Sequence, residues 1–254
     1  MHDMKTILIT GASSGIGKAV ALRFAREDSR LVLVARSTDA LESLKAECAQ
    51  KGREVIVFSL DVRDRAAIEA MFAALAEKGI AVDVLINNAG LALGMNDLKD
   101  GDPDDWDTMI DTNVKGLLYM TRAALRGMSE RDSGHIVNVG SIAGTAAYAK
   151  GAVYCATKAA VRFISDALRQ EVVASGIRVT NVQPGMVETN FSKVRFKGDE
   201  AKADDVYKGI DALTPDDIAE TIAYVVLSPA NVQVSEVTVM PAHQAGPGVV
   251  HRST

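Results

Sequence analysis

The chain has 254 residues, 48% of them hydrophobic and 24% charged, with 20 Gly and 6 Pro, a composition that suits an ordinary globular protein and excludes a disordered or fibrous one. A formal charge of −5, with no Lys/Arg block, disfavours a nucleic-acid or anionic-membrane partner. The two cysteines, Cys48 and Cys155, leave a disulfide open but fit a reduced cytoplasmic protein better. No export signal or membrane-length apolar run is evident, so a cytoplasmic protein is expected.

Short β-branched runs alternate with longer amphipathic segments. Strands are predicted at 6–10, 31–35, 55–60, 82–87, 135–139, 177–183 and 234–240. Each of the first six precedes a segment with helical character, which implies right-handed crossovers and a parallel sheet buried on both faces. The predicted fold class is therefore α/β, one domain over 1–254 in three α/β/α layers with seven parallel strands. The charged, aperiodic stretch 186–213 is expected to be a substrate lid, because long irregular segments in compact domains are usually functional.

After the first strand comes TGASSGIG, with Gly11, Ser13, Ser14, Gly15, Ile16 and Gly17 at a strand-to-helix turn. Glycines there let the backbone approach a pyrophosphate at the positive end of a helix. Plain turns use glycine too, but the place after strand one favours a nucleotide. The second strand ends at Arg36, where a carboxylate would suit the ribose of NAD. An Arg instead suits the 2′-phosphate of NADP, with a solvated loop charge as the alternative. Asp61, followed by Val62, is placed either to accept from the adenine amino group or to cap the next helix.

The fourth strand ends in Asn88, Ala89 and Gly90, small and amide-bearing residues fit to pack against a cofactor or to form an Asn-rich turn. Asn113 lies in a helical stretch that does not favour Asn. Tyr154 and Lys158 are four apart, on one face of a helix, and Ser141 stands upstream at the end of the fifth strand. Packing alone explains a lone pair of this kind. The chemical alternative is a phenol, with an ordinary pKa of about 10, made usable as an acid/base by a neighbouring ammonium.

Taken together, TGASSGIG, NNAG, Asn113, Ser141, YCATK and Pro184-Gly185 resemble the short-chain dehydrogenase/reductase family in order and spacing over nearly the whole chain. The resemblance implies that Tyr154 is the general acid/base and that Ser141 polarises the substrate oxygen. Lys158 would lower the Tyr pKa and bond the nicotinamide ribose, Asn113 would hold a relay water, and Pro184, Gly185, Val187 and Thr189 would contact the nicotinamide end of NADP(H).

The stretches 90–94, 106–113 and 190–199 are similar to the branch that acts with NADP on 3-hydroxy acids, serine or allo-threonine, or reduces malonic semialdehyde or sulfoacetaldehyde. A small anionic hydroxy acid or semialdehyde is the implied substrate. Arg195 is the candidate anion clamp, with a solvated lid charge as the alternative, and Tyr148 is a candidate second hydroxyl. The tail at 241–254 departs from the wider family and is expected either to fray or to cross onto a neighbouring subunit of a family-type homotetramer. His2, His135, His243 and His251 show no metal-ligand spacing, so no catalytic metal is expected. Two other readings remain: a ketoreductase of bulkier carbonyls, and an NADP-binding sensor or structural subunit.

Overall fold

The computed structural model describes residues 4–253, which places His2 outside the described residues. Strands β1 (Lys5–Thr10), β2 (Ser29–Ala35), β3 (Val55–Ser59), β4 (Val84–Asn87), β5 (Gly134–Val139), β6 (Ile177–Pro184) and β7 (Glu236–Val239) form one sheet in the order β3-β2-β1-β4-β5-β6-β7. Every pairing in it is parallel. The continuous apolar runs follow from burial on both faces. Ile7, Ile9, Leu31 and Leu33 point to one side and Leu8, Val32 and Val34 to the other, all nearly inaccessible.

Helices α1 (Gly15–Phe24), α2 (Thr38–Ala49) and α9 (Pro215–Leu227) cover the first face through Val20, Phe24, Leu41 and Ile222. On the second face lie α3 (Arg65–Glu77), α5 (Leu117–Glu130) and α6 (Ala152–Glu171), with Ile68, Met71, Met120 and Leu168 inward. Helix α4 (Pro103–Ile110) runs into α5 through a wider π-helical turn at Asp111–Gly116. Among the described residues no helix is long and apolar enough to cross a membrane. Both cysteines are free and buried, and burial raises the Cys48 thiol to about 11.

The seven expected strands are all present, with ends shifted by a residue or two. Two segments differ from the sequence-based picture. Stretch 186–213 contains two short helices, α7 (Phe191–Arg195) and α8 (Glu200–Asp205), the second capped by Asp199 on the Lys202 amide. Five or six residues are too few for a helical period to register. The ends of the excursion are joined: Leu213 N donates to the Met186 carbonyl and Glu188 N to the Leu213 carbonyl. The tail is not frayed, for β8 (Gln244–Gly246) and β9 (Val249–Val250) pair as an antiparallel hairpin that also contacts the body of the same chain.

His135 on β5 is 2% exposed. The Thr180 hydroxyl donates to the Val234 carbonyl at 2.6 Å, so at its 2.9 Å contact with His135 Nε2 it must accept. That leaves Nδ1 unprotonated, and it has no partner. Burial, helped by Arg178 and Lys5, holds the ring pKa down to about 3. Because the folded value lies below the unfolded 6.5, the stability is full above pH 6.5 and is lost as pH falls toward 3. Between pH 7 and pH 5 this one residue should cost about 2 kcal/mol. Denaturant titrations at the two pH values should show that loss in the parent protein and a smaller one, by this amount, in His135→Gln.

Candidate active site

The strand order reverses between β1 and β4, and a crevice opens at their carboxyl ends, the place where open α/β sheets bind ligands. Here the backbone ladder stops and side chains replace it. Thr10 Oγ1 accepts from the amides of Asn88 (3.0 Å) and Ala89 (2.9 Å) and donates to the Ile86 carbonyl. Asn88 Nδ2 donates back to the carbonyls of Thr10 (2.9 Å) and Gly11 (3.2 Å). Gly11 has φ +65°, and a Cβ there would meet Ala89 Cα at 2.9 Å, so the turn and the NNAG segment touch backbone to backbone.

The resulting cleft has a volume of about 1100 Å³. Gly11, Ser13, Ser14, Gly15 and Ile16 line its first wall, whereas Gly17 stands behind the turn, against the Gly11 carbonyl. Arg36, Asp61 and Val62 line the next part. Arg36 makes no ion pair among the described residues, while Asp61 pairs with Arg63 at 2.7 Å, and that hydrogen bond holds its carboxyl below the usual range. The capping alternative for Asp61 is corrected: α3 is capped by Asp64, which accepts from the Ala67 amide. Asn88, Ala89, Gly90, Pro184, Gly185, Val187 and Thr189 complete the expected cofactor set along the cleft.

Ser141, Tyr154 and Lys158 meet in the same cleft. Ser141 lies two residues past the end of β5 and caps a single 3₁₀ turn, accepting from the Ala143 amide at 3.1 Å. That turn packs on α6 at Gly144, where a Cβ would lie 2.6 Å from the Lys158 carbonyl oxygen. Lys158 Nζ donates to the Val139 carbonyl at 2.8 Å, and burial lowers its pKa to about 8. Nζ lies 6.0 Å from the centre of the Tyr154 ring. The Tyr154 phenol is held above its ordinary range, first by burial; the Ser141 hydroxyl and then the Arg195 cation oppose that rise. Lys158 is not among the groups that move the phenol, so the expected depression by its ammonium is absent from this structure and desolvation sets the direction.

Asn113 sits in the π-helical turn, a feature frequent at functional sites, but its side chain does not line the cleft. Its Oδ1 accepts from Leu91 N (2.8 Å), and its Nδ2 donates to the Leu91 carbonyl (2.8 Å) and to Thr157 Oγ1 (3.0 Å). Thr157 in turn donates to the Tyr154 carbonyl at 2.8 Å. Both amide hydrogens are therefore spent on protein, and Asn113 fastens the loop after β4 to the helix that carries Tyr154.

Arg195, on α7, reaches Tyr148 with Nη2 at 2.5 Å from the phenol oxygen. Its guanidinium carbon lies 5.2, 5.6 and 5.9 Å from the ring centres of Tyr154, Tyr148 and Phe191, within cation–π range. Nε is buried without a hydrogen-bond partner. The solvated-charge alternative for Arg195 does not hold, because the side chain points into the cleft. Burial raises the Tyr148 phenol, with Arg195 working against it. Sequence reasoning missed the roles of Thr10, Leu91, Thr157 and Gln244. Only Thr10, a hydroxyl closing an apolar strand, carried a local signal.

Residues 5–200 match the short chain dehydrogenase family. The chain is 48% identical over 249 residues to an NADP-dependent 3-hydroxy acid dehydrogenase, YdfG, of Salmonella typhi, covering 97% of this chain and 99% of that protein. It is 46% identical over 241 residues to a sulfoacetaldehyde reductase of Chromohalobacter salexigens, covering 94% of each. Among solved structures it resembles the closed form of a serine dehydrogenase complexed with NADP+, with a TM-score of 0.92 and 46% identity over 98% of this chain and all of that one.

Substituting Thr10→Val keeps the shape but removes the acceptor of the Ala89 amide and one acceptor of the Asn88 amide. A loss of about 1–3 kcal/mol is expected, readable by denaturant unfolding.

Proposed function

This chain belongs to the short-chain dehydrogenase family and is an NADP-dependent oxidoreductase; from that premise we propose that it interconverts small 3-hydroxy acids, or hydroxy sulfonates, with their semialdehydes or ketones. The observation that carries the substrate class is Arg195, a cation ringed by Tyr148, Tyr154 and Phe191 with a buried, unpartnered Nε. A planar guanidinium in such a place suits a carboxylate or sulfonate beside the reacting carbon. The names of the relatives, a 3-hydroxy acid dehydrogenase and a sulfoacetaldehyde reductase, favour the same class.

The residues present fit NADP(H). The Gly11 turn leaves room where a Cβ would clash with Ala89, and Arg36 faces the cleft without an ion pair among the described residues. Ser13, Ser14, Gly15 and Ile16 would hold the phosphates and Arg36 the 2′-phosphate, while Pro184, Gly185, Val187 and Thr189 would receive the nicotinamide end. When bound, the nicotinamide supplies or accepts the hydride.

Tyr154 and Ser141 act on the substrate oxygen. A phenol that burial keeps protonated near neutrality is suited to give its proton to a carbonyl oxygen, with the Ser141 hydroxyl donating a second hydrogen bond. In the oxidising direction Tyr154 must first lose that proton, so the oxidation rate should climb with pH. Lys158, with a pKa of about 8, is largely cationic at pH 7 and favours the phenolate. Asn113 holds Leu91 and Thr157, and through Thr157 the backbone of Tyr154. A lid at 186–213 would enclose the substrate, and the resemblance favours a homotetramer.

An intact Ser141–Tyr154–Lys158 set weighs against a mere sensor, which needs no proton-transfer group. Bulkier carbonyls are the competing substrates. Steady-state rates with serine, 3-hydroxypropionate, sulfoacetaldehyde and a bulky ketone decide: the anionic set should be preferred, and no preference for it would reject the proposed class. Tyr154→Phe should lower kcat by about 10²–10⁴ while NADPH binding survives. Arg195→Ala should raise KM for anionic substrates by at least about tenfold and leave neutral ones nearly unchanged. Arg36→Ala should weaken NADPH far more than NADH, as measured by fluorescence titration; equal losses would reject the 2′-phosphate contact.

A further inference from the structure

The segment that contains β8 and β9 touches the 186–213 excursion in two places, at Met186 and at residues 205–209. At the root, Gln244 is buried, and its Oε1 accepts from the Met186 amide at 2.9 Å while its Nε2 donates to the Gly246 carbonyl at 3.2 Å. Gly185 packs against the same side chain: a Cβ on it would strike Gln244 Oε1 and lie 3.1 Å from Met240 Cγ. The Pro184–Val187 turn therefore takes its position from a residue nearly sixty places later in the chain.

Just past β9, Arg252 spends its guanidinium on carbonyls at and after the end of α8. Nη1 donates to Lys208 O at 2.5 Å and Asp205 O at 3.4 Å, and Nη2 to Val206 O at 3.1 Å. A cation placed on unpaired carbonyls at a helix C-terminus satisfies both their hydrogen-bonding need and the helix dipole. Ser253 adds a backbone bond, its N donating to Gly209 O at 2.9 Å. Pro247 and Gly248 in the hairpin turn, and Val250 on β9, line the same cleft as Tyr154 and Arg195. The far side of the excursion is tied down separately, by Lys197 on Asp105 at 2.9 Å and by the Gly94 amide on the Arg195 carbonyl at 2.9 Å.

We propose that the segment 244–253 is a positioning element for catalysis, in which Gln244 sets the Pro184–Val187 turn and Arg252 holds the end of α8, so that the outer wall of the substrate cleft is built by the chain's own last residues. The role of that wall in substrate binding rests on the functional reading above; the role of Arg252 in holding 196–209 does not. Without the Arg252 and Ser253 contacts, residues 196–209 lose their anchor on one side, and α7, which carries Arg195, loses the neighbour that keeps it over the cleft. Substrate affinity should suffer more than the chemical step, because Ser141 and Tyr154 are held by β5 and α6.

The test uses the full-length protein with Arg252→Ala, Arg252→Lys and Gln244→Ala, each assayed for kcat and KM with 3-hydroxypropionate and sulfoacetaldehyde, for NADPH affinity, and for limited chymotrypsin cleavage after Phe196 and Tyr207. Arg252→Ala should raise KM about tenfold with kcat within about threefold, leave NADPH affinity within about twofold, and speed those two cleavages at least about fivefold. Arg252→Lys should fall between it and the parent, since an ammonium still offers donors to the carbonyls. Gln244→Ala should weaken NADPH about tenfold. The proposal is overturned if Arg252→Ala leaves the two cleavages unchanged, or if cleavage accelerates throughout the chain with a general loss of stability. If the parent protein turns over neither substrate, the functional reading fails, and the cleavage rates and NADPH affinities still decide the role of the tail.

Discussion

Where β1 and β4 part, the sheet can no longer satisfy its own backbone, and the Thr10–Asn88 exchange takes over that task. A buried amide or carbonyl without a partner costs as much as a lost hydrogen bond, so the crevice can exist only because side chains supply what the absent ladder would have. The same solution recurs around the cleft. Asn113 holds both polar groups of Leu91, Lys158 holds the Val139 carbonyl and Gln244 holds the Met186 amide. These loops of the site are each fixed by a side chain from another part of the sequence, which holds the geometry without a regular element beneath it.

A second polar layer sets where α5 and α6 lie. Asn87 Nδ2 donates to Thr121 on α5 and to Asn138 on β5, Asn138 donates to Ser165 on α6, and Ser165 donates back to the Val161 carbonyl. Apolar packing alone would tolerate sliding of a helix over the sheet, whereas a directional bond at a buried position does not. Since α6 carries Tyr154 and Lys158, the register of that pair is inherited from the Asn87–Asn138 strand pair just beneath the cleft floor.

Electrostatics in the cleft are governed by desolvation. It raises the Tyr154 phenol and lowers the Lys158 ammonium, drawing their two pKa values in opposite directions: the phenol holds its proton more firmly, whereas the ammonium, at about 8, comes within a unit of neutral pH. Arg195, fixed among three aromatic rings, offsets part of the rise at Tyr154. The same cation lies over the Tyr154 ring and lines the cleft, so any anion held on it would also alter the field at the phenol.

The sequence by itself determined the parallel α/β architecture, because strands buried on both faces must be continuously apolar and the helices between them must be amphipathic. It also determined the turn at Gly11, where a positive φ and close backbone approach exclude a side chain, and the Tyr154–Lys158 spacing, which one helical turn dictates. Only the tertiary structure decided that Asn113 serves Leu91 and Thr157, that Asp64 and not Asp61 caps α3, that 186–213 holds two helices and that the tail folds back onto them. Those outcomes depend on hydrogen bonds between residues tens of positions apart, such as Gln244 with Met186 and Arg252 with Val206. Local periodicity and propensity contain no term for such pairs, because the partner is chosen by the packed fold and not by the neighbours in sequence.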